Sequence, residues 1–411
     1  MTRRRVAVTG LGVHSPLGNS IDALAGALAA GRSGVRHLEA PLAGGLRSPI
    51  AATVQFDGAG HFDGARLRQL DRVSQLALAA AAQAVTAAGI EFAAQRRERC
   101  GVCVGSSLGG VESTDEGYRI LYAGDPGRVK PFTVITAMTS APGAWIGIEY
   151  GLTGPNLTFS TACSSSAVAL GEAARRIQSG DADVMLAGGA EAPLSRGVLC
   201  AWDAMRTLAT PDPVDPSASC RPFAGTRSGL VLGEGAAFVV LEDWELANRR
   251  GAAIHAELAG YGLTSDVAHI TRPTMEGQAG AMRAALESAR LAPQGIDYIN
   301  AHGTATVQND AVETAAIKQV FGAGAYRIPV SSTKSTHGHL LGAAGALEFV
   351  IAVLALERGL VPPTMHLDTP DPACDLDYVA GAARRGARLR TVMSNSFAFG
   401  GTNAVLIASL G

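Results

Sequence analysis

Short β-branched runs alternate with alanine-rich helical stretches along the whole chain, and that alternation restricts the fold more than any single residue does. Val6 to Thr9, Val102 to Gly105 and Asp183 to Gly188 read as strands, while Ile21 to Ala30, Ser74 to Ala88 and Ala167 to Gln178 carry apolar residues at helical spacing. The second half repeats the habit. Asp297 to Ala301 and Val330 to Thr333 are strands, and Ala281 to Ala289, Asp310 to Val320 and Ala343 to Leu356 are helical. Strands and helices in alternation imply α/β layers. With 411 residues, the chain exceeds the roughly 250 to 300 residues at which a single core stops growing. We therefore expect two comparable, closely packed halves, residues 1–255 and 256–411. Fifty glycines, single or paired, mark tight turns and close backbone approaches rather than a disordered tract. The stretches Pro211 to Pro216 and Thr264 to Pro273 read as surface loops.

Charge excludes some partners. Thirty-four basic residues face 36 acidic ones, a formal net charge of -2, so no global field favours nucleic acid or an anionic membrane. Six cysteines are too few for a disulfide scaffold and suit a reducing compartment. Arg3, Arg4 and Arg5 precede an apolar stretch that reaches Gly10 too soon to form a signal-peptide core. No window approaches the ~18 uninterrupted apolar residues of a membrane span. A cytoplasmic protein is the expectation.

The candidate chemistry lies at strand ends. Leu157 to Thr161 is a short strand, the small residues Ala162 to Ser166 form a turn, and a helix follows with apolar positions at Ala167, Leu170, Ala174 and Ile177 before Gly180 ends it. Cys163 therefore sits at a strand-to-helix turn. A helix N-terminus favours thiolate over thiol and can hold an oxyanion, although a lone cysteine is commonly structural, and position alone leaves both readings open. Tyr298 to Ala301 ends in His302-Gly303-Thr304-Ala305-Thr306. Val330 to Thr333 ends in Lys334-Ser335-Thr336-His337-Gly338-His339, and Val392 to Ser396 leads into Phe397-Ala398-Phe399-Gly400-Gly401. A cysteine, two histidine turns and a glycine-rich turn make a coherent acyl-transfer set. His14, His37, His61, His255, His269 and His366 read as ordinary core or surface residues.

At this point the sequence resembles the β-ketoacyl-acyl carrier protein synthases of the elongating class over nearly its whole length. The motifs run in that family's order: Val8-Thr9-Gly10-Leu11-Gly12, Ser160 to Ser165 around Cys163, Arg221-Pro222-Phe223, Leu232-Gly233-Glu234-Gly235, Asn300 to Thr304, Lys334 to Gly342, and Ser394 to Asn403. The resemblance implies the thiolase-type α/β fold, two related halves stacked as α-β-α-β-α layers. It implies a ping-pong reaction in which the Cys163 thiolate takes an acyl group from acyl carrier protein. His302 and His339 then promote decarboxylation of a malonyl carrier, and the resulting carbanion attacks the acyl thioester. The amides of Cys163 and Phe399 would form the oxyanion hole, Phe399 would gate the acyl pocket, and Lys334, near Glu313, would order the site. Leu108, Trp202, Thr304, Thr306, Phe397 and Gly400 would meet substrate, with Thr133 at the acyl pocket or dimer interface. Arg68, Arg128, Lys130 and Arg206 would form a basic surface for the acidic carrier. Substrates would arrive on the carrier's phosphopantetheine arm, with no cofactor and no metal. A homodimer is implied, with a heterodimer containing a chain-length-factor-like chain as the alternative.

Several departures and competing signals bear on this. The family's spacing of five from the lysine, followed by Leu-Leu-Gly, implies His339 rather than His337 as the catalytic histidine, and a histidine at 337 is not the family's common residue. Ala224 and Ala398 also differ from frequent family residues. Initiating synthases pair histidine with asparagine, thiolases carry a second cysteine in the last glycine-rich region, and chain-length factors lack the nucleophile. Gly105-Ser106-Ser107-Leu108-Gly109 satisfies the hydrolase nucleophile-elbow pattern, but Gly110 to Thr114 show no apolar helical period, so no helix is expected there. Cys100 and Cys103 have a metal-ligand spacing, yet a strand points them to opposite faces. Gly10-Leu11-Gly12 opens like a dinucleotide fingerprint but has Ser15 in place of the third glycine.

Overall fold

The computed structural model describes residues 3–411. Ten strands form one hydrogen-bonded sheet: β1 (Val6–His14), β2 (Cys100–Gly105), β3 (Asn156–Phe159), β4 (Val184–Glu191), β5 (Gly235–Asp243), β6 (Ala256–Ser265), β7 (Tyr298–Asn300), β8 (Val330–Ser331), β9 (Thr391–Phe397) and β10 (Thr402–Ser409). Their order is β8-β7-β9-β10-β6-β1-β5-β4-β2-β3. Moving outward from the centre, β1-β5-β4-β2-β3 and β6-β10-β9-β7-β8 are the same arrangement, strand for strand, with parallel and antiparallel pairs at matching places. The chain thus folds one plan twice, and the two copies join antiparallel at only Ala7↔Glu257 and Val8↔Ala256. Residue 255 lies in the connector just before β6.

Six helices complete the plan: α1 (Arg72–Ala88), α2 (Ala141–Tyr150), α3 (Ser165–Ser179), α4 (Met275–Ala289), α5 (Val307–Phe321) and α6 (Ala344–Arg358). α3 and α6 pack on each other and on strands from both halves, so they form a central layer. Every residue from Ala344 to Leu356 is buried, as expected of a helix apolar on all sides but for one acid, Glu348. α1 and α2 cover the outer face of one half, and α4 and α5 that of the other. The result is the five-layered α/β arrangement of the thiolase type.

The Gly-Leu-Gly of β1 now has a packing explanation. A Cβ on Gly10 would come within 2.1 Å of the Ala84 carbonyl oxygen and one on Gly12 within 2.0 Å of that of Ala80, on α1; Gly260 and Gly262 make the same approach to Ala285 and Ala281 on α4, at 2.5 and 2.1 Å. Glycine lets an alanine-rich helix lie directly on a strand in each half. Gly262→Ala is therefore expected to destabilise the protein by at least about 2 kcal/mol through overpacking, read as a lower urea midpoint at unchanged m-value. Gly26→Ala is the control: its added Cβ meets nothing within 4 Å in the helix Ile21–Ala29, so stability should hold or rise by up to about 1 kcal/mol.

Cys100 and Cys103 belong to different core clusters on opposite faces of β2. One sequence expectation fails: Val111–Tyr122 is a helix. None of its residues is buried, and Tyr118, Leu121 and Tyr122 are 54%, 42% and 82% exposed. Gly110 to Thr114 alone show no apolar period, because the apolar residues of this helix, Tyr118, Leu121 and Tyr122, lie beyond its first turn. No helix among the described residues is long and apolar enough to cross a membrane.

Candidate active site

Cys163 sits where β3 gives way to α3. Ala162, just before it, is left-handed with φ 50°, a strained setting for a residue with a Cβ. Serine hydroxyls hold the turn: Ser165 Oγ accepts from the Thr161 amide at 2.9 Å and donates to the Ala162 carbonyl at 2.6 Å, while Ser164 Oγ donates to the Thr161 carbonyl at 2.9 Å. Ser166 Oγ accepts the Ala346 amide at 2.9 Å, tying the start of α3 to the start of α6. The second half repeats this turn, with Leu341 left-handed at φ 45° before a short 3-10 segment and α6. There Gly342 stands in the place of Cys163.

The second half contributes the imidazoles. The amides of His302 and Gly303 each donate to buried Glu313 at 2.8 Å, and Asn395 Nδ2 donates to it at 3.1 Å, so a carboxylate on α5 sets the His302 turn. The His339 amide donates to the Val231 carbonyl at 2.7 Å. His339 Nδ1 accepts the Leu341 amide at 3.3 Å, and its Nε2 has no protein partner. With Nδ1 an acceptor, the proton is on Nε2. His302 Nδ1 faces the Lys334 ammonium at 3.4 Å, which places its proton on Nε2 also.

Cys163 Sγ and one nitrogen from each imidazole lie within 4.8 Å of one another, all three residues buried. The rings are 5.4 Å apart, edge to face. Burial, reinforced by Lys334, pushes both imidazoles well below the ordinary histidine range, so they are neutral. Burial also pushes the Cys163 thiol up to about 11, while Lys334 and the backbone N–H groups of Phe399 and Cys163 pull it down. The helix terminus favours a thiolate, but desolvation is the larger effect, and the resting group is a thiol beside two neutral imidazoles. Cysteine and two histidines are also zinc ligands, but the buried Lys334 cation beside them opposes a second cation.

Lys334 lies near Glu313, as expected: burial raises that carboxyl and Lys334 lowers it, but Lys334 is not bonded to it. Its ammonium is bonded to Glu348, and both are fully buried. Sequence reasoning missed Glu348, although a single acid within the apolar run Ala344 to Leu356 is a visible signal. His337 is also buried, but Nδ1 donates to the Gly338 carbonyl at 2.8 Å and Nε2 accepts from Thr333 at 2.9 Å, so it pins the turn.

A cavity of about 440 Å³ opens over the trio, within the usual range for small-ligand sites. Trp202, Thr304, Thr306, Phe397 and Phe399 line it, as do Ile270, Arg272 and His269. Phe399 stacks on Trp202 with ring centres 6.2 Å apart. Gly400 is not on the wall: it is exposed and its amide donates to the Ile270 carbonyl at 2.7 Å, while Gly401 lines the cavity. Leu108 is not on this wall either; it packs in the apolar cluster that holds Cys163, Leu199 and Leu341. Of the basic residues singled out, Arg206 is at the cavity. Arg68, Arg128 and Lys130 are exposed away from it, and Arg128 is 3.7 Å from Asp125.

Ser107 is no hydrolase nucleophile here, despite the helix that follows it. Its hydroxyl and amide both donate to buried Glu191, which also accepts the Leu108 and Gly342 amides. That carboxylate serves as a brace between the halves, with no imidazole attached to the serine.

Residues 3–247 match the family described as Beta-ketoacyl synthase, N-terminal domain, and residues 255–368 match Beta-ketoacyl synthase, C-terminal domain. The chain belongs to the β-ketoacyl synthase family. As such it is a condensing acyltransferase. This synthase is 44% identical over 412 residues to the 3-oxoacyl-[acyl-carrier-protein] synthase 2 of Coxiella burnetii (strain RSA 493 / Nine Mile phase I), covering 100% of this chain and 99% of that one. It is 45% identical over 403 residues to Nodulation protein E of Rhizobium meliloti (strain 1021), covering 98% of each. Among solved structures, it superposes on a type II PKS ketosynthase, bound to the hexaketide and in complex with its acyl-carrier protein, with a TM-score of 0.93, 33% identity and 100% of both chains covered.

Proposed function

We propose that this synthase extends acyl chains in fatty acid or polyketide synthesis by decarboxylative condensation at Cys163, with His302 and His339 as the paired donors. The observation that carries the reading is the trio within 4.8 Å, with both Nδ1 atoms occupied and both Nε2–H groups free. In the first step the Cys163 thiol gives up its proton as sulfur attacks the acyl thioester, and the carrier leaves as a thiol that takes up a proton in its place. The amides of Cys163 and Phe399 hold the developing oxyanion. In the second step a malonyl thioester places its carbonyl oxygen between the two Nε2–H donors. Loss of CO₂ leaves an enolate on that oxygen, its carbon attacks the acyl-Cys163 carbonyl, and Cys163 leaves as thiolate. Glu313 and the Lys334–Glu348 pair fix the ring orientations. Residues 1–255 thus supply the nucleophile and residues 256–411 the two donors, and no cofactor enters the scheme.

The donor assignment is tested by CO₂ release from a malonyl carrier. His302→Ala and His339→Ala are each expected to slow it on the order of 10²–10³-fold, the usual effect of removing one oxyanion donor. Unchanged release in either variant would show that its histidine does not hold the enolate.

The same reading gives partners. Acyl carrier protein brings both substrates. Assembly is with a second copy or a related chain-length-factor-like chain, because β3 is a sheet edge and a broad apolar surface lies on nearby helices. That surface includes Tyr122, Val134, Ile135 and Ile148, which are 82%, 75%, 48% and 65% exposed. Apolar area of this kind on a soluble chain marks an interface, and Thr133 lines its groove with Tyr118 and Met138.

A further inference from the structure

The turn that follows His339 is held from across the molecule. Leu341 is left-handed, φ 45°, a region that a residue with a Cβ occupies only where its surroundings force it. The peptides on either side of it both have partners: the Leu341 amide donates to His339 Nδ1 at 3.3 Å, and the Gly342 amide donates to Glu191 Oε2 at 2.9 Å. Glu191 ends β4, in the half that supplies the nucleophile, and is 0% exposed. The His339 backbone is anchored separately, through Val231 and Gly233. The contact with Glu191 therefore bears on the ring's bond to Leu341, not on where the residue sits.

Glu191 is fitted to this contact. The oxygen that accepts from Gly342 also takes the Ser107 amide at 2.7 Å, and the other takes the Leu108 amide at 3.1 Å. The equivalent turn of the second half, after β7, is gripped in the same manner, since the His302 and Gly303 amides share Glu313. What Glu191 adds is its reach to Gly342. Position 342 is the counterpart of Cys163, and a Cβ there would come within 2.5 Å of both Glu191 Oε2 and the Ser107 nitrogen. The carboxylate thus fills the space that a nucleophile's side chain would take in the second half. Its oxygen rests on the amide that corresponds to that of Cys163.

We propose that Glu191 is a positioning residue for the decarboxylation step. Its hold on Gly342 fixes the strained Leu341 turn, and through the Leu341 amide it keeps the His339 proton on Nε2 and that N–H aimed at the malonyl oxygen. The assignment rests on the donor reading of His339. Glu191→Ala is expected to slow CO₂ release from malonyl carrier by about tenfold to hundredfold, the scale of a small misplacement of a reacting group. Acyl-enzyme formation at Cys163 should change less than about threefold, because Glu191 touches neither oxyanion amide. Glu191→Gln should restore most of the rate, since its amide oxygen can still accept from Gly342. In a His339→Ala background, adding Glu191→Ala should cost less than about twofold, because the group it positions is gone. Gly342→Ala strikes the same contact from the other side with every polar group retained, and should repeat the split between the two steps even where Glu191→Ala fails to fold. Equal losses in acyl-enzyme formation and CO₂ release, or the same loss with and without His339, would overturn the assignment. Failure of both variants to fold would do so too, leaving Glu191 a folding brace only. A His339→Ala chain that releases CO₂ at the parent rate would instead sink the donor reading. Slow release in His339→Ala beside parent release in Glu191→Ala would remove the role of Glu191 alone.

Discussion

Cys163→Ala is expected to lose condensation by on the order of 10⁴-fold or more, the scale seen when an acyl-transfer nucleophile is removed. No other thiol can substitute. Cys100, Cys103, Cys220 and Cys374 are buried elsewhere, and exposed Cys200 is not on the cavity wall. The variant should form no acyl-enzyme, read as the absent mass shift when it is incubated with acyl carrier alone. Release of CO₂ from malonyl carrier should persist, because both Nε2–H donors stay in place. Ser107→Ala should still condense, because its hydroxyl is tied to the Glu191 brace and meets no imidazole. A Cys163→Ala protein that turned over thioesters while Ser107→Ala did not would reverse the assignment.

Glu348→Ala should have the largest effect on folding. It strands the Lys334 ammonium in the interior, where both partners of the pair are 0% exposed. Breaking such a pair by removing one member destabilises by about 3–5 kcal/mol, a loss visible in a chemical-denaturation midpoint. Burial raises the Glu348 carboxyl above the ordinary range even beside Lys334, which shows how strongly this site resists charge. Replacing both members, as Glu348→Gln with Lys334→Met, should recover most of that stability, because no isolated charge is left. It should not recover activity: without the ammonium at His302 Nδ1, nothing fixes which ring nitrogen carries the proton. A double variant as active as the parent would reduce the pair to a folding device.

These two cases also show what could be read from the chain and what could not. Cys163 and His302 stood out as candidates because each follows a strand end in a run of small residues, whereas position alone left Cys163 open and only the family resemblance chose His339 over His337 in the turn after Lys334. The partner of Lys334 was not legible. Glu313 and Glu348 both reach the site from helices, and only the packing of α6 against its neighbours decides which carboxylate meets the ammonium. The thiol's resting protonation state was not legible for the same reason: a helix terminus is visible in a sequence, whereas burial on all sides belongs to the assembled halves. The helix Val111–Tyr122 escaped because its first turn, through Thr114, is polar and its apolar residues Tyr118, Leu121 and Tyr122 come only later. Gly10 and Gly12 were noticed for a motif they do not serve, and Gly260 and Gly262 show their purpose by doing the same work in the other half.

The doubled plan has a bearing on how such a catalyst can change. Its two turns before the central helices are counterparts, yet one holds a sulfur and the other a bare Gly342 next to His339. Labour is divided between the two copies, and the reaction takes place on the seam where they meet. A fragment severed near residue 255 would carry either a nucleophile without donors or donors without a nucleophile, so drift in one copy is answerable to the other.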